Sequence, residues 1–241
     1  MSITLRSAQT ISNGVTMRGN TPLPPPIPIV TDGLVLHYDF SNPACYSGGT
    51  TNGTGITDLS TATNNGTIIN DYGAIVGGSD FRGNTFITWQ TNAGDSYSAS
   101  SIHPTLHNTY TDFTIVFQPD FTATGMVGLF AIEADKSVRF VASGGVWTVN
   151  NPGDMNDWAD DLTTYYINGQ ASNTPVVGWN IMGGARNNNA WTMPNGLYIG
   201  TSDYPNRHFQ GQIALVLMYN RALTEQEQLQ NYTALKARFG I

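Results

Sequence analysis

Residues able to do chemistry are sparse in this chain, and the densest group lies between 150 and 161. The run Asn150-Asn-Pro-Gly-Asp-Met-Asn-Asp-Trp-Ala-Asp-Asp161 brings Asp154, Asn156, Asp157, Asp160 and Asp161 close together. Hard oxygen ligands at this density suit calcium, which takes about six to eight of them. The spacing is not that of an EF-hand loop, because Ala159 stands where that loop needs glycine and Tyr165 where it needs glutamate. Calcium held by Asp154, Asp157, Asp160 and Asp161 therefore stands beside a plainer alternative, a solvated acidic loop. Trp158 sits inside the run, Trp147 just before it, and Trp191 follows Asn187-Asn-Asn189. Exposed indoles stack on the C–H faces of sugar rings while amides and carboxylates take the hydroxyls. Trp158, Trp191, Trp147 and Asn156 are accordingly the candidate glycan-contacting residues. Trp89 and Trp179, in apolar strand context, are expected in the core.

Catalytic constellations are harder to find. A retaining glycosidase needs two carboxyl groups about 5–5.5 Å apart, which an E-x-D-x-x-E or E-x-D-x-E strand supplies from one face. The chain has only Glu133, Glu225 and Glu227. Glu133-Ala-Asp135 begins such a pattern, but Ser137 and Val138 leave out the second acid, so these two are read as solvated strand-end charges. Of the histidines, His103 and His107 have i, i+4 spacing, yet Pro104 opposes a helix and no glutamate follows His103 as a metalloprotease requires. His37 and His208 stand in unrelated segments. There is no Gly-x-Ser-x-Gly and no phosphate-binding Gly-Lys loop. Cys45 reads as a small packed residue. No enzymatic activity and no cofactor beyond the calcium just weighed are expected.

The elements that must carry these residues are those of a large β domain. Of 241 residues, 40% are hydrophobic and only 11% charged, with 26 glycines, 12 prolines and a formal charge of −7. An ordinary soluble domain is roughly 25% charged. The acid excess and the lack of a basic run argue against nucleic acid or anionic membrane as partner. One cysteine forbids an intrachain disulfide and a cysteine-based zinc site. The N-terminus has no apolar stretch of the secretory kind, and the longest apolar runs, such as 213–219, are too short to span a bilayer. Synthesis in a cytosol as a soluble protein, without a signal peptide, is the expectation.

Residues 1–20 are polar, with Ile3 and Leu5 among scattered apolar positions, and carry Arg6 and Arg18 without an acid. They are read as an anchoring arm, the alternative being a disordered tail. Residues 21–31 follow as a linker in which Pro22, Pro24, Pro25, Pro26 and Pro28 impose an extended polyproline path. From 32 to 241 short strands are expected at 33–40, 85–89, 112–118, 127–132, 138–142, 146–149, 164–167, 197–199 and 211–219. Asn-Gly steps at 52–53, 65–66, 168–169 and 195–196 supply turns. In 211–219, Ile213, Leu215, Leu217 and Tyr219 line one face and Ala214, Val216 and Met218 the other, so both faces are buried. One helix closes the chain. Thr224 and Glu227 form a capping box, Leu229, Tyr232 and Leu235 an apolar stripe, Lys236 and Arg238 a basic last turn, and Gly240 the stop. The fold class is all-β, a sandwich or jelly roll with one C-terminal helix.

Several blocks carry a resemblance. They are Asp32-Gly-Leu-Val-Leu-His-Tyr-Asp39, Asp58-Leu-Ser with Asn64-Asn-Gly-Thr-Ile68, Phe81-Arg-Gly-Asn-Thr-Phe-Ile87, and Asp112-Phe-Thr-Ile-Val116. Leu197-Tyr-Ile-Gly200, Phe209 to Ala214, Met218-Tyr-Asn-Arg-Ala-Leu-Thr-Glu225 and Arg238-Phe-Gly240 complete the set. In these blocks the chain resembles the concanavalin A-like, laminin G-like domains of tailed-phage virion proteins, marine and cyanobacterial phages especially. The resemblance covers roughly 32–241 and speaks for fold more than for activity. It implies a non-enzymatic virion structural protein, made in the host cytoplasm and displayed on the particle surface as capsid decoration or fibre component. Residues 1–30 would then meet capsid or tail proteins, with homo-oligomers common in such assemblies. Relatives that hold calcium in rim loops add weight to the acidic segment. The alternative is an adhesin that recognises host surface polysaccharide.

Overall fold

The computed structural model describes residues 26–69, 75–89, 101–104, 109–133, 136–149, 162–186, 191–192, 197–201 and 209–241. The strands, in chain order, are β1 (Leu34–Asp39), β2 (Gly55–Ile56), β3 (Gly66–Ile69), β4 (Ile75–Ser79), β5 (Thr85–Trp89), β6 (Ser101–Pro104), β7 (Thr109–Tyr110), β8 (Asp112–Pro119) and β9 (Gly125–Glu133). They continue as β10 (Lys136–Ser143), β11 (Val146–Val149), β12 (Leu162–Ile167), β13 (Gln170–Ala171), β14 (Asn180–Arg186), β15 (Trp191–Thr192), β16 (Tyr198–Ile199) and β17 (Gly211–Tyr219). One sheet runs β13-β12-β14-β8-β17-β5-β4, with β1 also paired to β17; the other runs β11-β10-β9-β16-β6-β3-β2. A two-stranded ribbon joins β15 to β7. The pairings are antiparallel, and the architecture is a two-sheet β-sandwich with a helix, α1 (Glu225–Phe239), packed outside the first sheet.

Strand alternation explains the layers. On β8, Phe113, Ile115 and Phe117 point into the inter-sheet core, while Val116 joins the cluster under the helix. On β17 the expected alternation is broken by a bulge between Ile213 and Leu215. Ile213, Val216 and Met218 face the inter-sheet core, whereas Ala214, Leu215, Leu217 and Tyr219 lie under the helix. Both faces are buried, as the apolar run requires, but the extra residue of the bulge puts Ile213 opposite Leu215. The Asn168–Gly169 step has φ of 53° and 76° and closes the β12–β13 hairpin.

The helix begins and ends where its local chemistry dictates. Thr224 and Glu227 bond reciprocally as a capping box, and Gly240 closes the last turn at φ 74°. Its buried face differs from the expected stripe: Leu229 is 48% exposed, while Gln228, Asn231, Leu235 and Phe239 turn inward. The two polar residues face the sheet because buried groups there need partners. Gln228 donates to Asp112 at 2.9 Å. Asn231 accepts from the Val30 amide at 2.8 Å and donates to Thr114 and Tyr219, each at 3.0 Å. Val30 and Ile29 thereby join the helix-side cluster, and Gln230 holds the Pro28 carbonyl at 2.9 Å. At the other end Arg238 grips both Asp39 oxygens at 2.7 Å and Asn84 at 2.8 Å. Phe239 stacks on Trp179 with ring centroids 5.3 Å apart. No described helix is long and apolar enough to cross a membrane.

Candidate functional site

Beyond the end of the helix, the outer face of the first sheet is uncovered among the described residues. Ile87, Phe117 and Ile213 point inward, so Thr88, Gln118 and Gln212 project from the opposite face. Gln212 pairs directly with Thr88 on β5 and with Gln118 on β8. Three hydrogen-bonding side chains thus form a row across adjacent strands, at the floor of a groove of about 530 Å³. All three are half-buried, and among the described residues none of the three side chains has a hydrogen-bond partner. A neighbouring hollow of about 480 Å³ shares Gln118, Val177 and Gly178 and is bounded by Phe81, Trp179 and Ile241.

The walls are braced from within. Asn180 is fully buried, accepts from the Val176 amide at 2.9 Å and donates to the Val176 and Gly178 carbonyls at 2.7 and 2.9 Å. This fixes the turn that raises Val177, 84% exposed, beside the row. On the opposite wall the Thr122 amide and hydroxyl both donate to Asp120 Oδ1, and Asp120 is exposed. Gly211 has φ 142°, and a Cβ there would collide with the Gln118 carbonyl. Trp179 is wedged between Phe86 and Phe239 and donates to Asp80, helping to hold that carboxyl below its ordinary range against the opposing effect of desolvation. Arg82 stands over the Phe81 ring, 4.8 Å from its centroid.

None of the residues expected from sequence is among the described residues that line this groove. Trp147 is a correction: it is fully buried, packed among Phe121, Phe140 and Phe209 at centroid distances of 5.4–6.2 Å. The Gly144–Gly145 turn folds β11 back on β10 and sets Trp147 opposite the small Ala142, which directs the indole inward. Trp191 lies on β15 with its backbone paired to Tyr110; its side chain is outside the described residues. Trp158, Asn156, Asp154, Asp157, Asp160 and Asp161 are also outside them, as are Ile3, Leu5, Arg6 and Arg18. Among the described residues no group of three or more His, Cys, Asp or Glu is placed to hold a metal. The Cys45 thiol is buried and pushed up to about 12 by desolvation, which leaves it unreactive. Ser101 Oγ lies 2.6 Å from His103 Nε2, but Ser101 is only 1% exposed, so no substrate reaches that hydroxyl.

Sequence reasoning did not find Thr88, Gln118 or Gln212. The one signal was that each is a polar residue beside apolar strand positions; their alignment into a row depends on register.

No family model matches the chain, and no curated protein matches it. Among solved structures, it is similar in fold to Trypanosoma rangeli sialidase in complex with sialic acid, with a TM-score of 0.50 and 13% identity over 96% of this chain and 36% of that one. The chain thus spans about a third of the sialidase's length. Domain 4 of an extracellular GH43 arabinanase from Geobacillus stearothermophilus, in complex with arabinotriose, gives a TM-score of 0.48 and 17% identity, over 84% of this chain and 100% of the other. The binding domain of Paraclostridial Mosquitocidal Protein 1 gives 0.41 and 16%, over 83% and 52%. The likeness at a TM-score of 0.50 is one of β-sandwich fold.

Proposed function

We propose that this chain is a non-catalytic carbohydrate-binding module. The observation that carries the reading is the in-register row Thr88–Gln212–Gln118, half-buried on a groove floor beside an aromatic wall and without a hydrogen-bond partner among the described residues. Amides offer a donor and an acceptor together, as sugar hydroxyls require, and half-burial strengthens such bonds relative to open solvent. Among the described residues the groove holds no nucleophile–base pair, and its amide row supports binding. The test is retention on a panel of immobilised polysaccharides together with a thermal shift, since a ligand of the native state raises its melting temperature. Wild type should bind at least one glycan, and Gln212→Ala should weaken it. Trp158→Ala and Trp191→Ala, run with and without calcium, test the loop aromatics and the acidic segment in parallel. Failure of wild type to bind any glycan overturns the reading.

A second reading, display on a phage particle, is favoured by the docking of Pro28–Val30 on the helix. A fixed root for the proline-rich segment suits an arm, carrying Arg6 and Arg18, that anchors the sandwich to capsid or tail proteins. On this reading the module is made in the host cytoplasm and ends on the virion surface. Immunogold labelling of intact particles with an antibody against 32–241 tests it: label on head or tail supports it, and unlabelled particles overturn it.

A further inference from the structure

We propose that the groove is specific for an extended, neutral, β(1→4)-linked polysaccharide lying across the strands, an inference that rests on the carbohydrate reading above. The row runs perpendicular to β5, β17 and β8, and neighbouring strands in a sheet are about 4.8 Å apart. Successive rings of a β(1→4)-linked pyranose chain, which is nearly straight, repeat at close to the same interval. Thr88, Gln212 and Gln118 can therefore each meet a successive ring, which a coiled α-linked chain cannot arrange. The same line continues past Gln118 toward Trp179, because Asn180 pairs with Phe117 and Trp179 stands one place before it. In the other direction it reaches Val76, which pairs with Thr88 on the edge strand β4. Among the described residues the ladder is thus open at the sheet edge, where a long chain can enter and leave, and flanked by an indole at its other end.

Charge selects against acidic sugars. The residues lining the floor groove include Asp120 and no cation, and the whole chain carries −7. Arg82, which lines the adjoining hollow, is stacked on Phe81. A polyuronate laid on the row would face the Asp120 carboxyl group with no basic side chain among the described floor residues to offset it.

The experiment is calorimetric titration of the full chain with cello-, xylo- and chito-oligosaccharides of increasing length, against malto-oligosaccharides and oligogalacturonate. The expected result is binding of at least one β(1→4)-linked neutral series, with affinity rising up to about three or four rings, as the strand spacing implies, and then levelling. Gln212→Ala, at the middle of the row, should weaken it about tenfold, the worth of one to two lost hydrogen bonds. Gln118→Ala should act in the same direction, with circular dichroism confirming that both variants fold. Preference for malto-oligosaccharides or oligogalacturonate overturns the inference and leaves the carbohydrate reading standing. So does β(1→4) binding that is indifferent to Gln212→Ala and Gln118→Ala but lost in Trp158→Ala. If wild type binds no sugar on the panel, both fall.

Discussion

Asn231 is the side chain on which the attachment of the proline-rich segment turns. It is fully buried and makes three hydrogen bonds, to the Val30 amide at 2.8 Å and to Thr114 Oγ1 and Tyr219 Oη at 3.0 Å. Asn231→Ala removes all three. Each is worth a net of about 1 kcal/mol, and the Val30 N–H, left unpaired in a dry site, adds about 1–3 kcal/mol of its own. Tyr219 keeps its bond to the Val30 carbonyl at 3.1 Å, so the segment is loosened rather than released. The expected loss is about 4–6 kcal/mol, read as a lower urea midpoint at unchanged slope. Gln230→Ala, which removes the exposed bond to Pro28, should cost only about 0.5 kcal/mol. Amide exchange should show Val30 deprotected selectively in the Asn231 variant. If Asn231→Ala loses less than about 1 kcal/mol, or no more than Gln230→Ala, then this contact does not fix the segment and the reasoning fails.

Asp112 gives the fold an unusual pH dependence. Burial pushes its carboxyl up, to about 8, although the Leu223, Phe113 and Gly184 amides and Gln228 pull the other way. The folded state then holds a proton that the unfolded chain releases above about pH 4, so stability falls as pH rises from there through about 8. Glu227 works at the other end: hydrogen bonds from Arg221 first, and from Thr224, hold it down to about 2, a contribution present above about 4.5 and lost toward 2. Melting temperature against pH should therefore peak on the acid side of neutrality, with Asp112→Asn flattening the alkaline limb. A curve that climbs steadily to pH 8 would show that the anion is the folded form. Trp147→Ala should cost about 3–5 kcal/mol as a core truncation, while Trp147→Phe binds glycan as wild type does; weakened binding in the phenylalanine variant would contradict its assignment to the core. Gly211→Ala, strained at its φ and blocked by the Gln118 carbonyl, should cost more than about 1 kcal/mol and weaken glycan binding, as titration would detect.

What the sequence made legible is what local chemistry determines. The capping box, the glycine stop and the long apolar strand each follow from neighbouring residues and appear where expected. What it concealed depends on distant partners. Gln228 and Asn231 look like surface residues until Asp112 and Thr114, 116 and 117 positions away, are brought beneath them. The strands Asn180–Arg186 and Ile75–Ser79 are rich in glycine and take their conformation from their neighbours in the sheet. Trp147 resembled a loop indole because its hairpin turn is two glycines, which say nothing about the direction of the next side chain. The binding row was hidden for the same reason: register and the bulge at Ala214, not composition, put Thr88, Gln212 and Gln118 on one line.

Several of the residue blocks picked out in the sequence hold the helix. Asp39, Asn84 and Arg238 lock its end; Arg221 and Glu227 brace its start; Asp112 receives Leu223 and Gln228. Such residues serve any protein with this helix, whatever it binds, which is why the motifs speak for fold and are silent on ligand. The helix is nevertheless what creates the groove. Starting over the Asp112–Tyr219 end of the sheet, it runs back along a nine-residue strand about 30 Å long. With 15 residues it covers only about 22 Å. Gly240, left-handed and crowded by Arg82, stops it above Ala214 and Phe86, and the next polar positions along β17, β5 and β8 are Gln212, Thr88 and Gln118. The helix thus defines where the open face begins among the described residues, and register decides which side chains fill it.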